Sequence, residues 1–131
     1  MAKILLIEDD QSVQRYIVRI LEMIGHEVML AEDGTKGYEL ASDNELKVIL
    51  TDLSMPGEPS EMELVRKLHE LRPDCPIVVV SGHPTQERLE ECEELGIKDF
   101  LTKPFEMSFI QAVLDRLLNE RASKHENMEQ S

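Results

Sequence analysis

Two hydrophobic patterns alternate along the chain. Ile4-Leu5-Leu6-Ile7, Val28-Met29-Leu30, Val48-Ile49-Leu50 and Ile77-Val78-Val79-Val80 are short continuous apolar runs bounded by polar or turn residues. Such runs predict strands buried on both faces. Ile97 to Leu101 is a weaker fifth. Between them the period changes. Val13, Tyr16, Ile17, Ile20, Leu21 and Ile24 fall at helical spacing, and Gly25 is a natural stop. Further helices are predicted from about Thr35 to Ser42, Ser60 to Leu71, Thr85 to Leu95 and Glu106 to Ala122, where Ile110, Val113, Leu114, Leu117 and Leu118 repeat the core spacing. Pro84 and Gly96 frame the fourth helix, whereas Gly37 weakens the second. Strands alternating with helices predict an α/β fold, a parallel sheet with helices on both faces, because parallel crossovers need a helix and are right-handed. The last residues, 123–131, contain only Met128 as a large apolar group, so the reading is a domain over 1–122 and a flexible polar tail.

Composition narrows the class. The chain has 131 residues, 41% of them hydrophobic, which suits one core. With 27 Asp and Glu against 14 Lys and Arg, the formal charge is −13. Phosphate-backbone binding depends on Lys and Arg, so direct DNA binding is not expected. No apolar run nears the ~20 residues that cross a bilayer, so no membrane insertion is expected. The run after Met1-Ala2-Lys3 is too short for a signal peptide. Cys75 and Cys92 make no disulfide framework, and a reducing cytoplasm fits. Both thiols read as structural or surface residues. His26, His69 and His125 read as surface residues too.

In an open parallel sheet, ligands bind beyond the carboxyl ends of the strands. The residues there are Glu8-Asp9-Asp10, Thr51-Asp52, Ser81-Gly82-His83 and Thr102-Lys103-Pro104. Carboxylates, a hydroxyl and an ammonium are thus expected on one rim. If Glu8, Asp9 and Asp52 lie within ~5 Å of one another, each pair repels by ~3 kcal/mol at an effective dielectric of 20. A cation would hold them together. Oxygen donors without a His or Cys pair favour a hard ion such as Mg²⁺ over Zn²⁺. A divalent ion beside a lysine suits phosphoryl transfer, and a carboxylate can be the nucleophile.

Four stretches carry a resemblance: Lys3 to Asp10, Leu50-Thr51-Asp52-Leu53-Ser54-Met55-Pro56-Gly57, Val80-Ser81-Gly82, and Asp99-Phe100-Leu101-Thr102-Lys103-Pro104-Phe105. Together, in order and each at a strand end, they resemble the receiver domain of two-component response regulators, over roughly Lys3 to Leu118. The resemblance implies a flavodoxin-like, doubly wound five-stranded sheet of order 2-1-3-4-5. It implies that Asp52 accepts a phosphoryl group from a sensor histidine kinase or a histidine phosphotransfer protein. Asp9 would bind Mg²⁺ directly, Glu8 through water or by positioning, and the Ser54 carbonyl would add a ligand. Lys103 would pair with the acceptor and then the phosphoryl group, aimed by a cis peptide before Pro104. Ser81 would hydrogen-bond the phosphoryl group and Phe100 would act as the aromatic switch. Ser54 and His83 would tune the phosphoryl lifetime, His83 being otherwise an exposed loop residue.

The sequence departs from that family at several points. Glu8 stands where the family most often has Asp, leaving Glu8-Asp9 and Asp9-Asp10 as candidate pairs. The former is preferred because the apolar run ends at Ile7, and Asp10 or Ser12 then reads as a helix N-cap. Residues 57–64 lack the usual Asp-Gly, and Phe100 has no hydroxyl. Glu87, Glu90, Glu91, Glu93 and Glu94 read as a solvated face, or as part of the fourth-helix, fifth-strand and fifth-helix surface through which such domains contact partners.

The expected function is a phosphorylation-dependent switch that catalyses only its own phosphotransfer and slow dephosphorylation. A receiver-like unit takes up nearly the whole length, so no output domain is expected. The signal would leave by contact with a downstream protein target or as a phosphorylation-dependent dimer. The alternative is a Mg²⁺-dependent aspartyl-nucleophile phosphohydrolase, but such enzymes need a second Asp two residues after the nucleophile, where this chain has Ser54. A flavodoxin-type cofactor carrier would want a phosphate-cradling loop in place of Glu8-Asp9-Asp10.

Overall fold

The apolar runs and the helical stripes become alternating elements in a computed structural model, which describes residues 2–52, 61–81, 86–97, 99–102 and 106–130, with the backbone alone at 61 and 120–130. In chain order these are β1 (Lys3–Ile7), α1 (Gln11–Ile24), β2 (Glu27–Ala31), α2 (Gly34–Leu40), β3 (Leu46–Asp52), α3 (Glu61–Leu71), β4 (Ile77–Ser81), α4 (Gln86–Glu94), β5 (Asp99–Thr102) and α5 (Met107–Gln130). The sheet is parallel, in the order β2-β1-β3-β4-β5. The expected doubly wound α/β fold is therefore present.

Alternation along each strand builds two cores. Leu5, Ile7, Ile49 and Val79 pack on one face with Leu64, Val65 and Leu68 of α3 and Cys92 of α4. Ile4, Leu6, Leu50 and Val80 pack on the other with Ile17 and Leu21 of α1 and Ile110 and Leu114 of α5. Both cysteines are free and buried, and burial raises the Cys92 thiol pKa. A buried, protonated thiol is a packing group rather than a nucleophile.

The element ends show where local pattern yields to ladder and cap chemistry. β3 extends to Asp52 because parallel pairing continues past the apolar run, Thr51 opposite Ile7 and Asp52 opposite Val80. Asp10 caps α1, its Oδ1 accepting from the N–H groups of Ser12 and Val13 at 2.8 and 3.1 Å. Gly25 ends that helix at φ 101°. The expected fifth strand from Ile97 begins instead at Asp99. Gly96 turns the chain at φ 84° and the Ile97 N–H closes back on the Cys92 carbonyl, so Ile97 enters the core before the strand starts. The last helix, expected to end at Ala122, continues to Gln130. The stretch from Ser123 to Gln130 has no Gly or Pro to stop a helix and is rich in straight-chain residues.

Two polar side chains hold the framework in ways the sequence did not announce. Arg72, 8% exposed, donates to the carbonyls of Ala41, Asp43 and Leu46, tying the end of α3 to the turn before β3. His26 was expected at the surface but is half-buried, its Nδ1 accepting from the Ala2 N–H at 3.2 Å.

Candidate functional site at the carboxyl ends of the strands

β1 and β3 are neighbours in the sheet, so the residues that follow or end them emerge side by side. Glu8 and Asp9 follow β1, and Asp52 ends β3. One carboxylate oxygen from each of Glu8, Asp9 and Asp52 lies within 4.8 Å of the other two. Glu8 and Asp52 are 1% and 2% exposed, and Asp9 is exposed. Two nearly buried carboxylates with a third at the mouth form a cluster that repels itself and attracts a cation. All three donors are hard oxygens, so the set fits a hard divalent ion. It can hold a metal.

The choice between the two acidic pairs is decided by α1. Asp10 is committed to capping that helix, and its carboxylate oxygen faces backbone N–H groups. Glu8 and Asp9 are left for the cluster, as the end of the apolar run at Ile7 suggested. The Glu8 main chain is fixed by its neighbours. Its N–H donates to the Ala31 carbonyl at 3.0 Å, and its carbonyl accepts from Gln14 Nε2 at 2.6 Å.

Ser81 closes β4, 7% exposed and paired in register with Thr102 of β5. It stands one residue beyond Val80, the partner of Asp52. Phe100 is half-buried and packs against the core on the α3 side of the sheet. Ser54, His83, Lys103 and the peptide before Pro104 lie outside the described residues.

Thr51 does not join the rim. Its place in the strand puts it on the opposite face from Asp52, between Ile7 and Val79, and its buried Oγ1 has no hydrogen-bond partner among the described residues. Gln14 is the contributor that sequence reasoning missed. It is 7% exposed and stands at helical spacing before Ile17 and Leu21, so a polar residue on the buried stripe was the available signal.

Known proteins resemble this chain in sequence and fold. A family model described as the response regulator receiver domain matches residues 4–115. The response regulator receiver protein CpdR of Brucella abortus is 30% identical over 118 residues, covering 90% of this chain and 98% of the relative. The DNA-binding transcriptional regulator NtrC of Azospirillum brasilense is 30% identical over 118 residues, or 90% of this chain, and this chain spans only 24% of it. The chain thus spans a small part of some relatives that it matches. Among solved structures, a CheY-like receiver domain protein from Methanospirillum hungatei superposes with a TM-score of 0.88 at 24% identity, covering 95% of this chain and 98% of that one. Among the described residues no helix is long and apolar enough to cross a membrane. The matched family model spans β1 to α5 and takes in all three clustered carboxylates, and the chain belongs to the response regulator receiver domain family of two-component signalling.

Proposed function

We propose that this chain is a phosphorylation-dependent switch in which Asp52 accepts a phosphoryl group from a phosphohistidine. The observation that carries the reading is the convergence of Glu8, Asp9 and Asp52 within 4.8 Å at the end of two adjacent parallel strands. A carboxylate held there is a nucleophile whose negative neighbours must be neutralised before an anionic donor can approach.

In this reading Mg²⁺ would be held by Asp9 and Asp52 directly, by Glu8 through water or by positioning, and by the Ser54 carbonyl. When bound it supplies charge neutralisation between the carboxylates and the incoming phosphoryl oxygens. An Asp52 carboxylate oxygen attacks phosphorus, the P–N bond to the donor imidazole breaks, and its electron pair stays on that nitrogen. The product is an acyl phosphate on Asp52. Lys103 pairs with a phosphoryl oxygen, and Ser81 donates a hydrogen bond to another. Phosphorylation adds roughly −1.5 to −2 charge. Each ~1.4 kcal/mol of preferential stabilisation shifts the active:inactive ratio tenfold. Phe100, half-buried at the edge of the core, follows Ser81 inward as the switch, and Ser54 and His83 set the phosphoryl lifetime.

The partners are a histidine kinase or phosphotransfer protein on the input side and a protein target on the output side, in the cytoplasm. Turnover is confined to the chain's own phosphotransfer and slow dephosphorylation. With Mg²⁺ and a small acyl-phosphate donor, intact mass should rise by one phosphoryl group in wild type and not in Asp52→Ala. Undiminished labelling of Asp52→Ala would overturn the assignment, and multiple turnover of a phosphate ester would favour a hydrolase.

A further inference from the structure

We infer that Gln14 is a positioning residue for the acidic site, acting through the main chain of the Glu8-Asp9-Asp10 turn. The inference rests on the proposed Mg²⁺ site and deepens it. Gln14 grips the turn twice. Its side-chain Nε2 donates to the Glu8 carbonyl at 2.6 Å, and its backbone N–H donates to the Asp10 carbonyl at 2.9 Å. Asp9 is the residue between these two anchors.

The geometry separates this role from ordinary helix packing. A backbone N–H to the carbonyl four residues earlier is the first bond of any helix. The Nε2 bond is different, because it reaches beyond the helix to the last position before the exposed metal-binding carboxylate. Gln14 is itself buried, so its amide is held in place by the surrounding core. On the other side of the turn the Glu8 N–H is anchored to Ala31 of β2. Glu8 is therefore clamped between β2 and α1, and the direction in which the Asp9 carboxylate leaves the main chain is set by that clamp. Asp9 is exposed, and packing alone does not define its orientation. Removing an outer partner of a metal ligand typically weakens metal affinity by about 10- to 100-fold.

The test uses Gln14→Met, which keeps length and apolar packing but has no donor. Mg²⁺ affinity is measured by calorimetry on the whole chain, and thermal unfolding is measured in EDTA. Mg²⁺ affinity should weaken about tenfold, beyond any change in the EDTA melting temperature, and the Glu8 amide, which donates to Ala31, should lose protection from hydrogen exchange. Unchanged Mg²⁺ affinity would overturn the inference, whatever happens to the melting temperature. Wild type that fails to bind Mg²⁺ would overturn the metal site itself, and the inference with it. If Gln14→Met does not fold, the wild-type Gln14 side-chain amide protons decide: they should be protected and should shift on adding Mg²⁺, and free exchange with no shift would refute the role.

Discussion

Gly37 of α2 lies directly on Ile7 of β1: a Cβ at position 37 would come within 2.5 Å of Ile7 Cδ1 and 2.7 Å of Cγ1. The glycine that weakens the helix locally is what lets it approach the sheet. Gly37→Ala should lower stability by about 1–2 kcal/mol, because overpacking against the fully buried Ile7 outweighs the gain of up to ~1 kcal/mol in helix propensity. Denaturant unfolding measures it. A more stable Ala variant would show that Ile7 moves aside freely.

The same end of β1 carries the acidic site, where three carboxylates lie close enough to oppose one another. Asp52→Asn removes one charge from the cluster within 4.8 Å while keeping the shape. In EDTA this variant should be more stable than wild type by roughly 1–3 kcal/mol. Mg²⁺ should raise the wild-type melting temperature, as a ligand selective for the folded state must, and raise that of Asp52→Asn much less. Equal Mg²⁺ responses would mean that the ion does not use Asp52.

One residue earlier, Thr51 buries a hydroxyl that finds no partner among the described residues. Thr51→Val replaces that oxygen by a methyl group of nearly the same size. The variant should gain about 1 kcal/mol, the desolvation cost of an unsatisfied hydroxyl, with no loss of phosphoryl labelling. A less stable Val variant would reveal that the hydroxyl is satisfied in solution.

At the other end of the sheet, burial lowers the His26 pKa, helped by the nearby N-terminal amine and opposed by Asp115. The Ala2 N–H bond to Nδ1 also requires the neutral ring. Below the ordinary value of 6.5 the unfolded chain takes up a proton that the folded chain resists, so stability falls as pH drops from about 6.5 towards the lower folded value. Above that window the His26 contribution is complete. Comparing wild type with His26→Gln by urea unfolding between pH 5 and 8 isolates it. The variant should lose that part of the slope, and an unchanged slope would assign it to other groups.

Much of the fold was legible because its signals are local. Apolar runs such as Ile4 to Ile7 and Ile77 to Val80 became central strands, and the stripe from Val13 to Ile24 became α1. The acidic site was legible too, because residues just beyond parallel strands must meet at one rim. That is why Glu8, Asp9 and Asp52, separated in sequence, lie together. The boundaries were less so: nothing in Ile97 to Leu101 shows that the turn at Gly96 draws Ile97 into the core before β5 begins.

What the amino-acid order determined by itself was the alternation of elements, the parallel sheet that follows from it and the placing of acidic residues at the strand ends, since these depend on periodicity and on where each run stops. Only the tertiary structure decided which acidic pair lies beside Asp52, because Asp10 is withdrawn by the α1 cap while Gln14 and Ala31 fix Glu8. It likewise decided that Arg72 binds three carbonyls, that Gly37 is needed above Ile7, and that Thr51 faces away from Asp52. These contacts join groups from separate elements, and their distances depend on how helices lie against the sheet, which no local pattern encodes.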